Sequence, residues 1–312
     1  MTSYFNIFNF RNTMTKYNIV YINLIFIVFI LHSHQSSFAE DTPYTLNKTM
    51  HISDYEITLY KHLHDYDDDI LIASQSGKEI WKYNAHRIEF ERWINAPDAL
   101  SFPHIGTNVT GGTNSQIIVQ SWSGGAHCCN QTHVLDLGSK LTDIIPPSSG
   151  DYPQYYIYIK KQNNYRFVTY DNIFSYWHSS FAQSAAPKLI FIYKDNKYEL
   201  DKEFMKKNSD VYSYSHKTLI NDSDWSLFNY DNTPVLPSKL LNYVINLTYS
   251  GKIKYAEKIF LESWPANIPG KTDFFNRLFH CRIRMSTYWS DIASMNSVAA
   301  LPPEGNCPSY DE

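Results

Sequence analysis

The side chains best suited to chemistry stand close together: His127, Cys128 and Cys129, with His133 a few residues on. Thiolate and imidazole groups together bind zinc or copper. A cysteine beside a histidine is also a nucleophile with its base, provided a third group orients the imidazole. Adjacent cysteines in an extended chain point to opposite faces, which works against both ligating one ion. No Cys-x-x-Cys occurs, so a thioredoxin-type redox motif is not indicated. Cys281 and Cys307 bring the total to four cysteines, and four cysteines allow three disulfide connectivities. One joins Cys128 to Cys129 and Cys281 to Cys307. The other two tie the motif to the C-terminal region. Metal site, thiol nucleophile and disulfide all stay open at this level.

Other signatures are absent or imitated. There is no Gly-x-Ser-x-Gly elbow and no His-Glu-x-x-His. Gly270-Lys271-Thr272 looks like the end of a phosphate loop, but Pro265 stands at the first glycine's place, so the segment reads as a helix start. Asp65, Asp67 and Asp69 have the alternation of a calcium loop. Ile70 replaces the required glycine and no late Glu follows, so a solvated hairpin tip is expected. Trp81, Trp93, Trp122, Trp177 and Tyr176 could stack on sugars, although alternating aromatics more often fill cores.

The elements that must position these groups fall into two styles. Residues 40–200 read as a β-rich domain. Glu79-Ile-Trp-Lys-Tyr83 and Arg87-Ile-Glu-Phe-Glu-Arg-Trp93 alternate apolar with polar, the period of a half-buried strand. Further strands are expected at 44–46, 56–60, 70–73, 116–122, 133–137, 155–159, 165–170 and 188–193. Their spacing predicts antiparallel hairpins, as in a propeller-blade-like or sandwich-like meander. Residues 201–234 read as an irregular connection with one short helix after Asp201. Residues 235–312 read as an α-helical unit with a Pro-rich tail. Its helices are expected from Ser238, over Tyr255–Phe260, over Phe274–Ile283 and from Thr287 to Met295. The fold class expected is therefore α+β.

The cysteine motif sits in Gly106–Cys129, a turn-rich loop, a buried strand and a second tight loop. Trp122, Ser123, Gly124 and Gly125 lead into His127, Cys128 and Cys129. The two glycines mark a turn needing positive φ or close backbone approach. This Ser-Gly-Gly-Ala-His-Cys-Cys segment resembles the signature of a group of exported bacterial proteins of unknown function. In that group an acidic Asp-x-Thr-Gly-Asp-Gly turn, at the place of Asn108–Thr113 here, precedes the strand and is similar to the calcium-loop turns of FG-GAP and VCBS-type β-propeller repeats. Tyr170-Asp171-Asn172, Phe181-Ala182, Tyr249-Ser250-Gly251 and Trp264-Pro265 fit the same group. The resemblance implies an exported protein and brings no established activity. The chain departs from it where calcium would matter, since Asn108 and Gly112 replace the two acids and Thr113 a glycine. A metal-free turn is expected, and calcium or a transition metal is the lesser alternative.

The N-terminus reads as a targeting segment. Lys16 precedes an apolar run from Ile19 to Leu31, and Ser37 and Ala39 fit the −3 and −1 places of a signal cleavage site. The run is short for a membrane span, so cleavage after Ala39 is expected, with an uncleaved anchor as the alternative. The chain has 312 residues, 27 basic and 31 acidic. Residues 1–39 carry only Arg11 and Lys16 as charges, so the mature 273 residues have a net charge of −6. That balance argues against a nucleic-acid binder. The expectation is a periplasmic or secreted protein without a membrane span after cleavage. Its best functional reading is a non-catalytic binding or structural module for an envelope protein. A carbohydrate-binding or glycan-processing module, and a metal or thiol-redox site, are the alternatives.

Overall fold

A computed structural model describes residues 43–64, 67–94, 100–125, 128–207, 226–227, 234–304 and 307. The proposed signal segment, Asp65 and His127 lie outside the described residues. The architecture is α+β, with three four-stranded antiparallel sheets followed by helices.

Each sheet is a meander in chain order. The first comprises β1 (Tyr44–Ile52), β2 (Tyr55–His62), β3 (Asp69–Gln75) and β4 (Lys78–Ala85). The second comprises β5 (Arg87–Glu89), β6 (Gln116–Gly125), β7 (Cys128–Leu137) and β8 (Leu141–Ile144). The third comprises β9 (Tyr155–Ile159), β10 (Asn164–Tyr170), β11 (Lys188–Lys194) and β12 (Lys197–Leu200). Four-stranded meanders of this kind are the unit from which propeller blades are built.

The second sheet is buried on both faces, and period-two alternation shows how. Ile117, Val119, Leu135 and Leu137 join a core with Tyr55, Ile57, Leu59 and Leu71 of the first sheet. Ile118 and Val134, one residue out of phase, join a larger core with the third sheet and the helices. That alternation makes β6 a nearly continuous apolar run bounded by glutamines. Gln116 and Gln120 are buried, so each side-chain amide must find partners. Gln120 does so by accepting from Ile94 N and donating to Gln154 O and Thr132 Oγ1.

The helices are α1 (Lys202–Lys207), α2 (Ser238–Thr248), α3 (Ile253–Ser263), α4 (Lys271–Phe275) and α5 (Trp289–Met295). A wide-turn segment, Asn276–Arg282, continues α4. Leu240, Leu241, Val244, Ile245 and Leu247 of α2 pack with Ala256, Ile259 and Phe260 of α3 and with Phe167, Leu189 and Phe191 of the third sheet. The third sheet and the helices thus share one core across residues 201–234, where the composition suggests a boundary. Among the described residues no helix is long and apolar enough to cross a membrane.

Two expectations change, one strand and one hairpin tip. The strand over 87–93 stops at Glu89, because Glu91 takes φ +80 and turns the chain out of the ladder. Asp69 is not a solvated loop acid. It opens β3 almost fully buried, accepts hydrogen bonds from Ile88 N and His62 N, and pairs with Lys61 at 2.7 Å. Asp67, by contrast, is exposed, with an oxygen 3.3 Å from His62 Nδ1.

Candidate functional site

The cysteine motif occupies the β6–β7 hairpin. The ladder runs from Gln116 opposite Asp136 to Trp122 opposite Asn130, then slips, so that Gly125 faces Cys128. Glycine is required at both positions by different causes. Gly124 has φ +84, and a Cβ there would sit 3.0 Å from the His86 ring. Gly125 lies so close to Cys128 that a Cβ would meet its carbonyl oxygen at 2.7 Å. Ser123 Oγ accepts from Cys129 N at 2.7 Å, holding the two strands together past the last regular pair. Trp122 lies edge-on to His86, centroids 5.5 Å apart.

Cys128 is bonded to Cys129, and Cys281 to Cys307. No free cysteine stands among the described residues. In this bonded form neither motif sulfur is a thiolate, so neither offers the ligand or nucleophile that the sequence left open. Nor does His133 join them. It lies four residues beyond Cys129, roughly 13 Å along a strand, on the face turned to the first sheet. There its Nδ1 meets both oxygens of Asp143 at 3.0–3.1 Å, and its ring packs 4.3 Å from that of Tyr83. Tyr83 Oη shares a hydrogen bond with Ser121 Oγ at 2.8 Å. Burial, and then the Asp143 charge, push the Tyr83 phenol up despite that bond. His133 is only 4% exposed and its Nε2 has no partner among the described residues. No group of three or more metal-ligating side chains is found among them.

On the opposite face, Asn130 ties the hairpin to the next loop. Its N donates to Gly150 O at 2.8 Å and its Nδ2 to Asp151 O at 3.1 Å. Its carbonyl accepts from Ser148 Oγ and Gln154 Nε2. The loop so anchored carries Tyr152, whose ring stacks on Phe181 at 5.3 Å and whose hydroxyl meets Ser175 Oγ. Phe181 in turn packs against Tyr176 at 5.5 Å. Tyr176 and His178 both take positive φ, +61 and +51, unusual for bulky residues and more common at functional loops. The turn is held by Ser184 Oγ, which accepts from Tyr176 N. Tyr176 is 55% exposed. The motif and an aromatic shoulder are therefore adjacent, linked through residues 130 and 148–154.

The other aromatics suited to sugar stacking serve the interior. Trp81 stacks on Tyr83, Trp93 packs on Phe102 and Tyr156, and Trp177 lies against Phe274 with Arg282 near its face. A cavity of 430 Å³ opens between β11–β12 and α5, floored by Phe191, Tyr198 and Tyr288. Its rim charges are matched, Lys197 with Glu199 and Lys202 with Asp291.

The turn at Asn108 closes on itself. Asn108 Oδ1 accepts from Thr110 N and Gly112 N, while its Nδ2 donates to Asn114 O. An amide, unlike a carboxylate, supplies both donor and acceptor here. Asp136 stands alongside as the acid, accepting from Asn114 Nδ2 and Gln116 Nε2.

One constellation joins two segments that carry the resemblance, around Asp171 and around Tyr249, although no spacing links them. Asp171, 5% exposed, accepts from Ile173 N, Tyr249 Oη and Ser286 Oγ. It joins the end of β10 to the end of α2 and to the segment before α5. Burial, reinforced by the Asp171 charge, pushes the Tyr249 phenol well up. Asp171 and Tyr249 lie 78 residues apart, so only the fold brings them together.

Comparison with models of known families, with curated proteins and with solved structures returns no match.

Proposed function

We propose that this chain is an exported, non-catalytic binding module of the bacterial envelope. Its contact surface is the shoulder where the motif hairpin meets the 148–152 and 175–184 loops. The observation that carries this reading is the fourfold attachment of Asn130, which fixes the hairpin carrying the distinctive motif against a loop whose half-buried Tyr152 leads through Phe181 to the exposed Tyr176. Loops held on a rigid scaffold are where binding residues concentrate. The resemblance to exported bacterial proteins and the signal-like residues 1–39 support the compartment. Two cysteine pairs at disulfide distance suit an oxidising one.

The test is capture from a bacterial envelope extract with the tagged full chain and with a Tyr176→Ala/Phe181→Ala double variant. The expected result is one protein retained by the wild type and recovered about tenfold less, ~1.4 kcal/mol, on the variant. Equal recovery on both, or no specific retention, sinks the proposal.

A second reading is favoured by one observation, the exposed Tyr176 beside Phe181 and Tyr152. Aromatic faces with hydroxyl groups at their edge suit a sugar ring. A glycan array returning no binding, or binding unaffected by Tyr176→Ala, removes this reading.

A further inference from the structure

The two disulfides differ in every respect that decides what a disulfide is for. Cys281 and Cys307 have Cα atoms 5.5 Å apart, within the ordinary range, and they close a long stretch of chain, being 26 positions apart. Such a bond restricts the unfolded chain and holds the tail to the wide-turn segment. Cys128 and Cys129 are neighbours. Consecutive Cα atoms are at most about 3.8 Å apart, short of the ~4.4 Å where disulfides usually begin. A bond between neighbours closes no loop in the unfolded chain, so the entropic account gives it no stabilising role.

Its surroundings point the same way. Cys128 is exposed and Cys129 half-buried, at the tip of a hairpin. Thiol–disulfide exchange needs an open sulfur, and exposed bonds off the ordinary spacing are the labile ones. The ladder slips between Trp122 and Gly125, so the tip leaves the regular register and Cys129 N is held by a side chain, Ser123 Oγ, in place of a ladder bond. Asn130, next in the chain, carries the attachment to residues 148–154.

We propose that Cys128–Cys129 is a redox-active site that exchanges two electrons with a dithiol-class reductant, while Cys281–Cys307 is structural. A thiolate of the dithiol attacks Cys128 Sγ. The bond to Cys129 breaks, and the Cys129 sulfur leaves as a thiolate and takes up a proton. The second thiolate of the reductant then attacks its partner sulfur in the mixed disulfide. Cys128 leaves and is protonated in turn. The dithiol ends as a disulfide and the protein as two thiols, a transfer of two electrons and two protons. Freed, the two side chains can return to opposite faces of β7. The proposal is independent of the binding surface above and stands or falls without it.

The experiment uses the folded, oxidised full chain. It is equilibrated with graded dithiothreitol and quenched with an alkylating mass tag, and each cysteine peptide is read by mass spectrometry. Cys128 and Cys129 should be tagged at about tenfold lower reductant than Cys281 and Cys307. Opening of both pairs over one range, or of Cys281–Cys307 first, overturns the proposal. Emission of Trp122, assigned by difference against Trp122→Phe, should change over the range in which Cys128 and Cys129 become tagged. A hairpin whose Trp122 emission stays constant while that pair opens also counts against it, since the site would then move nothing.

Discussion

Asp171 shows how a single buried carboxylate can organise a distant set of residues. Its charge is met by hydroxyl and amide donors, and hydrogen bonds to charged groups are among the stronger ones. Tyr249→Phe removes one donor and leaves the carboxylate under-satisfied, so a loss of about 2 kcal/mol is expected in urea unfolding. Tyr249 of this site, together with the hydrogen-bonded Tyr156 and Tyr198 of the third sheet, sets an alkaline limit. Burial holds the Tyr156, Tyr198 and Tyr249 phenols above their ordinary range. In the unfolded chain they ionise near ~10. Above that pH the unfolded state has lost protons that the folded state keeps, so stability falls as pH rises. Their contribution is fully present below about pH 10 and is lost from there upward. Urea midpoints between about pH 9 and 11 should therefore decline in the wild type and decline less steeply in Tyr249→Phe, each phenol adding a slope of up to about 1.4 kcal/mol per pH unit. A parallel decline would show that Tyr249 does not titrate differently in the two states. At this scale the sequence disclosed the motif residues and not their partners. Residue type and spacing mark His133 and the cysteines as one group. Strand length then separates them, since His133 lies four residues beyond Cys129 on β7, and no sequence spacing points to Asp143.

At the scale of elements, the β6–β7 hairpin depends on two glycines whose requirements can be told apart. Gly77, at φ +73 with nothing within 4 Å of where a methyl would stand, isolates the cost of positive φ. Gly77→Ala should cost about 1 kcal/mol, the ordinary penalty for a left-handed alanine. Gly125→Ala meets a backbone carbonyl, which cannot swing aside, and should cost more, about 2 kcal/mol or above. Equal denaturant midpoints for the two variants would contradict the close approach. Most strands were legible because period-two alternation survives wherever one face is wet, as in Trp81-Lys-Tyr83, whereas Ile80 beside them is exposed at a ladder irregularity. The strands that alternation does not disclose, β8 and β12, are short and sit at sheet edges. A different signal for β12 stands in the Asp195-Asn196 pair. Both residues take positive φ, +51 and +61, as a tight hairpin turn requires.

For the whole molecule, the second sheet is the shared element. One of its faces completes the core of the first sheet, and the other joins the core of the third sheet and the helices. The C-terminal tail is pinned to this larger core region by Cys281–Cys307, with Glu304 placed against His280 and Arg284. Replacing both cysteines, as Cys281→Ala/Cys307→Ala, should cost about 3.5 kcal/mol by the loop-closure relation and lower the melting temperature. Reduction of the Cys128–Cys129 pair should be unaffected. A melting temperature equal to that of the wild type would show that the tail is held by other contacts.

The sequence by itself determined the α+β class, the order of strands before helices and the positions of most elements. These follow from local periodicity, glycine and proline placement, and composition, all of which act over a few residues. The tertiary structure decided which cysteines pair, which face His133 takes, and that the third sheet and the helices share a core across the 201–234 connection. Those outcomes depend on contacts between residues tens of positions apart, such as Asn130 with Asp151 and Asp171 with Ser286. Burial, which leaves each polar group only the partners the fold supplies, selects among alternatives that local pattern leaves equal.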